Sequence, residues 1–129
     1  MVTLLAVLAT VVGKLMLHSI GKSLSSGTDQ VLFTVPQGYV AHVSLVYVTN
    51  TSGSTGSYSM AWKHAHDASH IIRFAYGKSL SSGASDQFSN AELVMRAGDS
   101  MLVTNAMTVD VITTFDLMQA MPLYAFAGE

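Results

Sequence analysis

The chain has no cysteine and little charge: its 129 residues include six Lys and Arg and eight Asp and Glu, 11% in all. Without thiols there is no disulfide framework, no thiolate zinc site and no cysteine nucleophile. The six basic residues form no run and the net charge is -2, so the electrostatic footprint of a nucleic-acid binder is missing. Soluble domains usually carry about 25% charged residues, so this surface has less than half the ordinary supply of solvated groups. Such a surface suits contact with other chains. Helical periodicity is missing as well, since no stretch repeats its apolar residues at 3.6 spacing for more than a turn or two.

What is present is period two. Half of the residues are hydrophobic, enough in one domain of this length to build a core without staples. From Tyr39 to Asn50 the odd positions Tyr39, Ala41, Val43, Leu45 and Tyr47 alternate with His42 and Ser44, as in a half-buried strand. Val31–Val35 precedes it, and Pro36-Gln37-Gly38 between them predicts a hairpin turn. After the loop 51–57, Tyr58, Met60 and Trp62 share one face of a third strand. Past a turn at 67–69, His70, Ile72, Phe74 and Tyr76 share a face of a fourth. Segments 92–96 and 100–104 flank Ala97-Gly98-Asp99 as a further predicted hairpin, and Met107, Val109, Val111, Phe115 and Leu117 mark the inner face of the last strand. Seven to eight short strands separated by turns predict an all-β fold, a two-sheet antiparallel β-sandwich of jelly-roll type. Val43, Leu45, Tyr47, Trp62, Phe74, Val109, Val111 and Phe115 are expected to point inward.

The sandwich is expected over residues 21–117, with an apolar arm or edge strand over 1–20 and a tail over 118–129. Met1 to Gly13 is uncharged and apolar, but no cationic segment precedes it and the first base is Lys14, so a packing arm is expected rather than a secretory leader. It is also shorter than the about 20 residues that span a bilayer, and no membrane partner is expected. The tail holds Pro122, Leu123, Tyr124 and Phe126, which no strand pattern requires.

Gly21-Lys-Ser-Leu-Ser-Ser-Gly27 recurs letter for letter at Gly77–Gly83, with Asp-Gln following each copy at Asp29-Gln30 and Asp86-Gln87. A phosphate-binding loop would need glycine where Met16 and Ile72 stand, and a helix after it. A pair of equivalent loops entering two related hairpins is the expected reading.

Five histidines are conspicuous beside so few charges, and His64, His66 and His70 are the candidate metal ligands. On a strand, His64 and His66 would share a face, and a turn could set His70 opposite, as a zinc site requires. The spacing His64-x-His66-x3-His70-x6-Gly77 is similar to the first motif of the cupins, a jelly-roll family in which two His and a Glu bind a metal. Here His70 stands at the Glu position and Tyr58 replaces a glycine. Pro36-x-Gly38-x3-His42 echoes the second motif but precedes the first. The expectation is a solvated histidine group, with no metal, no cofactor and no catalytic residue. Asp67, Asp86, Glu92, Asp99, Asp110 and Asp116 are expected in turns or on polar strand faces, Asp99 bonding its own turn.

The succession Leu32-Phe-Thr-Val-Pro-Gln-Gly-Tyr-Val-Ala, Val48-Thr-Asn-Thr-Ser-Gly-Ser, Leu93-Val-Met-Arg-Ala-Gly-Asp-Ser and Val109-Asp-Val-Ile-Thr-Thr-Phe resembles small β-sandwich virion proteins of tailed bacteriophages. The likeness runs from about residue 29 to 117 and implies a non-enzymatic virion subunit, a capsid decoration, cement or tail-associated protein. By that resemblance its partners are itself, as a trimer, and the major capsid protein or tail proteins. Two alternatives stand beside it: a cupin-like metal protein or enzyme using His64, His66 and His70, and a carbohydrate-binding sandwich module.

Overall fold

The computed structural model describes residues 16–67 and 70–120. They form eight strands: β1 (Met16–Leu24), β2 (Gly27–Thr34), β3 (Tyr39–Asn50), β4 (Gly56–Lys63), β5 (Ile71–Leu80), β6 (Ser85–Met95), β7 (Ser100–Asn105) and β8 (Val109–Gln119). Two four-stranded sheets, β1-β8-β3-β6 and β2-β7-β4-β5, face each other, and every pairing is antiparallel. All connections cross between the sheets except the β4–β5 hairpin, which is the jelly-roll arrangement. β1 is an edge strand that begins at Met16, and β8 runs to Gln119, so the sheet structure extends beyond 21–117 at both ends. Residues 1–15 and 121–129, and with them most of both predicted arms, lie outside the described residues.

Two predicted hairpins are corrected. Turns do form at Pro36–Gly38 and Ala97–Asp99, with Gly38 and Gly98 at φ 85° and 86°, but each joins strands in opposite sheets. A tight turn says that the chain reverses; which strand then supplies the hydrogen bonds is a non-local matter. The two corners bond to each other: the Val35 amide donates to Asp99 O and the Gly98 amide to Val35 O, both at 2.9 Å.

The sheet order maps onto itself when each strand is advanced by four places, β1-β8-β3-β6 becoming the other sheet read backwards. The repeated heptapeptide follows this pseudo-two-fold, one copy spanning the β1–β2 corner and the other the β5–β6 corner. The copies therefore enter sheet crossings, not hairpins. In each, the Leu faces inward and its carbonyl is taken by a buried asparagine of the equivalent strand. Asn50, ending β3, donates to Leu80 O at 2.9 Å and to Ser54 O at 2.8 Å. Asn105, ending β7, donates to Leu24 O at 3.2 Å, Ser25 O at 3.0 Å and Met107 O at 2.7 Å. The lysines bridge the sheets at their open edges, Lys22 Nζ to Val31 O at 3.3 Å and Lys78 Nζ to the Asp86 carboxylate at 3.7 Å. Tyr58 reinforces the second bridge. Its buried hydroxyl donates to Asp86 Oδ2 at 2.6 Å, and burial, then that hydrogen bond and the carboxylate charge, push its pKa far above the usual phenol value. Among the described residues no buried side-chain nitrogen or oxygen lacks a hydrogen-bond partner.

The core is built from Leu32, Phe33 and Val35 on one side and Val43, Val46, Val48, Val109, Val111 and Phe115 on the other, with Met60, Met95, Met101 and Met107 between. Methionine's flexible thioether suits such irregular gaps. Phe33 and Phe115 stack across the sheets at 4.6 Å. Val43, Val109, Val111 and Phe115 point inward as expected. Leu45 and Trp62 are half-buried, and Tyr47 and Phe74 are exposed. On β3 the cause is a bulge: its register with both β6 and β8 shifts between Val43 and Leu45, after which Val46, Val48 and Asn50 face inward. One extra residue inverts the parity of all that follow. On β5, an edge strand, Ala75 and Leu80 are the buried positions, and Ile72, Phe74 and Tyr76 are exposed. Its pairing with β4 shifts twice, between Tyr58 and Met60 and between Met60 and Ala61.

Phe115→Ala is expected to cost ~3–5 kcal/mol, and Phe74→Ala well under half of that, measured by urea unfolding. Equal losses would restore the simple alternation. By the pseudo-two-fold, Asn50→Ala and Asn105→Ala should cost similar amounts, roughly 2–4 kcal/mol each, because both orphan buried carbonyls at a corner.

Candidate functional site

The histidines collect at one end of the sandwich, where β4 ends at Lys63 and the β4–β5 hairpin begins. His64 packs against Trp62 (ring centroids 4.2 Å) and His70 (5.0 Å). The backbone closes beneath them, the His64 amide donating to His70 O at 3.3 Å and the His70 amide to Asp67 O at 2.8 Å. His70 Nδ1 lies 3.9 Å from Asp67 Oδ2. His66 is exposed. The structure therefore brings two of the three candidates together. Strand geometry does not govern the third, because His64 and His66 lie beyond the end of β4. His42, from the second cupin-like motif, is exposed on the other sheet, paired in register with Asp116. Among the described residues no three His, Cys, Asp or Glu side chains are gathered to hold a metal ion.

The organising group at this end is Asp99. The solvated turn residue expected there is buried, at 3% exposure, and this corrects the sequence reading. Its carboxylate accepts the Arg96 amide at 3.0 Å, closing its own turn as expected. It also reaches across to the hairpin, accepting the Trp62 indole N–H and the Ala65 amide, each at 2.9 Å. Gly98 makes room for this, since a Cβ there would stand 2.8 Å from the Ala65 Cβ. Burial by itself raises the Asp99 pKa. The amides of Arg96 and Ala65, the Trp62 indole and the charge of His64 outweigh it and hold the group below the usual carboxylate value. The signal was the Ala-Gly-Asp turn; its partners, over thirty positions upstream, carry no mark in the sequence. The described residues also begin and end here: Met16 pairs with Leu117, and the Ala120 amide donates to Gly38 O at 2.8 Å.

Elsewhere the described surface is rich in Ser and Thr, sparsely charged, and set with large apolar side chains. Leu17, Tyr47 and Ile112 are exposed on the β1-β8-β3-β6 sheet, Ile72, Phe74 and Tyr76 on β5. An apolar cleft of about 240 Å³ opens between the sheets at the β5–β6 edge, lined by Val43, Leu45, Val46, Phe74, Phe88 and Leu93, with Ser44 as its polar residue. Phe74 meets Phe88 edge-on at 5.9 Å. A shallower hollow of about 410 Å³ is lined by Ser26, Thr28, Ser57, Ser59, Thr104 and neighbouring backbone. What these surfaces can do chemically is pack against apolar groups and exchange hydrogen bonds.

No protein-family model matches the chain, and no curated protein matches it. Solved structures do. A capsid chain of the T=1 particles derived from infectious bursal virus aligns with a TM-score of 0.52 at 9% identity, over 82% of this chain and 32% of that one. The present chain thus spans about a third of that protein. A subunit of the pili that form Bacillus endospore appendages aligns at TM-score 0.48 and 12% identity, covering 85% and 91% of the two chains. The globular domain of zebrafish complement 1qA gives 0.43 and 13%, covering 77% and 94%. At 9% identity the first of these likenesses is one of fold alone, and it matches the jelly-roll sandwich described above.

The pH dependence of Asp99 follows from its lowered pKa. Its contribution is complete above the unfolded value of about 3.9 and is lost as the pH falls through the lower folded value. Acid titration of the wild type should show a stability slope below about pH 4 that Asp99→Asn lacks. Asp99→Ala should cost roughly 3–5 kcal/mol at neutral pH, since three N–H groups lose their acceptor.

Proposed function

We propose that the chain is a non-enzymatic structural subunit of a virus particle, specifically a bacteriophage virion protein of the decoration, cement or tail-associated kind. It works by packing against copies of itself and against capsid or tail proteins. One observation carries the reading: a jelly roll with 11% charged residues exposes large apolar side chains on both sheets, among them Leu17, Ile112, Ile72 and Tyr76. Interfaces are depleted in charge and enriched in aromatics and Met, and exposed apolar patches of a few hundred Å² mark contact sites. The fold shared with a viral capsid protein and the turn pattern of residues 29–117 support the same reading.

Particles purified by density gradient from the source lysate should contain this chain at a fixed ratio to the major capsid protein, measured by quantitative mass spectrometry. The isolated protein should scatter light as an oligomer, a trimer by the phage resemblance. A chain confined to the soluble fraction would overturn the assignment. The metal reading has its own check. Chelator should leave the melting temperature unchanged, and His64→Gln, His66→Gln and His70→Gln together should leave assembly intact. Stoichiometric metal in untagged protein would favour the cupin-like alternative. The hydroxyl-lined hollow is the observation behind the carbohydrate alternative, and a glycan array addresses it.

A further inference from the structure

We propose that the apolar cleft at the β5–β6 edge receives the segment Met1–Val12 of a second copy of this chain, so that neighbouring subunits are joined by a donated strand. The inference deepens the reading of the chain as an assembling subunit and rests on it.

Three features of the cleft point to an extended apolar peptide. Its lining is aliphatic and aromatic, and its one polar side chain, Ser44, already donates its hydroxyl to Thr114 O at 3.2 Å. At about 240 Å³ it is smaller than the ~300–1,000 Å³ pockets that enclose whole small ligands. It has room for two or three aliphatic side chains. Finally, it opens between two sheet edges. β5 is hydrogen-bonded to β4 and β6 to β3, and among the described residues neither has a strand on its other side. Edge backbone of this kind is a template for an added strand, the backbone giving affinity and the pockets selecting alternate side chains. Among the described residues no charged side chain lines the cleft, and beside it Lys78 pairs with Asp86 and lies over Phe88 at 5.2 Å.

The chain itself carries a matching segment. Met1-Val-Thr-Leu-Leu-Ala-Val-Leu-Ala-Thr-Val-Val12 has no charge, and both alternate sets, Val2-Leu4-Ala6-Leu8 and Leu5-Val7-Ala9-Val11, are apolar. A strand apolar on both faces is one that is covered on both faces. The reading of the chain as an assembling subunit assigns it to a neighbour, and reach limits which of its residues could enter the chain's own cleft. β1, which the segment precedes, lies at the opposite edge of its sheet from β6, three interstrand spacings away, or ~14 Å. From Val12 to Met16 the fully extended chain also reaches ~14 Å. That distance suffices only along a straight line through β8 and β3. A route around the end of the sandwich is longer, so the residues next to Val12 cannot enter the chain's own cleft, whereas Leu8 and Leu4, eight and twelve residues before Met16, have the length to reach either cleft. Donation from one copy to the next is a heterologous contact, which closes into a ring when the rotation permits.

Two full-length variants test this by complementation. Leu4→Asp with Leu8→Asp spoils the arm, and Phe74→Asp spoils the cleft at a position 37% exposed, where folding tolerates it. Each alone should run as a monomer by light scattering, with unchanged circular dichroism. Mixed, they should form a dimer, because the intact arm of one meets the intact cleft of the other. A mixture that stays monomeric, or variants that each still assemble fully, would overturn the proposal.

The cysteine-free sequence allows a second, independent readout. A Leu8→Cys chain oxidised with a Phe74→Cys chain should give a disulfide-linked dimer, and with a Thr34→Cys chain, altered on the far exposed face, it should not. A Leu8→Cys, Phe74→Cys double variant that oxidises to a monomer would show the arm seated in its own cleft and would equally overturn donation. Failure of either experiment leaves the particle measurement untouched, so the structural role and the donated strand stand or fall separately.

Discussion

A sandwich whose chain crosses between sheets at almost every connection depends on what happens to the backbone at the crossings. Each corner takes peptide groups out of the ladders and buries them near the core, where an unmet carbonyl is costly. Here two buried amides meet that demand. Asn50 and Asn105 each hold the carbonyl of the leucine at the turn of a repeated heptapeptide. The Leu anchors the corner in the core and the Lys spans the sheet edge, so one short motif supplies packing, hydrogen bonding and edge closure twice over. Because the strand order obeys the same pseudo-two-fold, the duplication is one of architecture as well as of letters.

That symmetry is broken at the two open edges of the sandwich. At the β1–β2 edge Lys22 hydrogen-bonds directly to the backbone of the facing strand. At the β5–β6 edge Lys78 and Tyr58 converge on Asp86 at one point; beyond it the edge gapes into an apolar cleft. The β3 bulge that turns Leu45 and Ser44 toward this opening also places Tyr47 on the outer sheet face. One inserted residue thus shapes both an internal hollow and an external surface.

At the end of the sandwich where the β4–β5 hairpin begins, the histidines pack beside a buried carboxylate. Asp99 ties the β6–β7 corner to the β4–β5 hairpin through Trp62 and Ala65, and His64 and His70 pack on that scaffold. The residue types of the site were visible in the chain, as was the Ala-Gly-Asp turn. Their grouping was not: His66 diverges because β4 stops before it, and His42 falls on the opposite sheet.

Strand content, the turns at Gly38 and Gly98, the inner face of β8 and the heptapeptide repeat were all determined by the sequence, because each rests on neighbours a few residues apart. Alternation and turn chemistry are local properties of the backbone. Tertiary structure alone decided which strands pair, turning two expected hairpins into sheet crossings, and where the alternation slips, exposing Tyr47 and Phe74. It also decided what Asp99 holds. Pairing, register and burial are set by contacts between residues far apart in the chain, and a bulge costs a single residue that leaves no compositional trace.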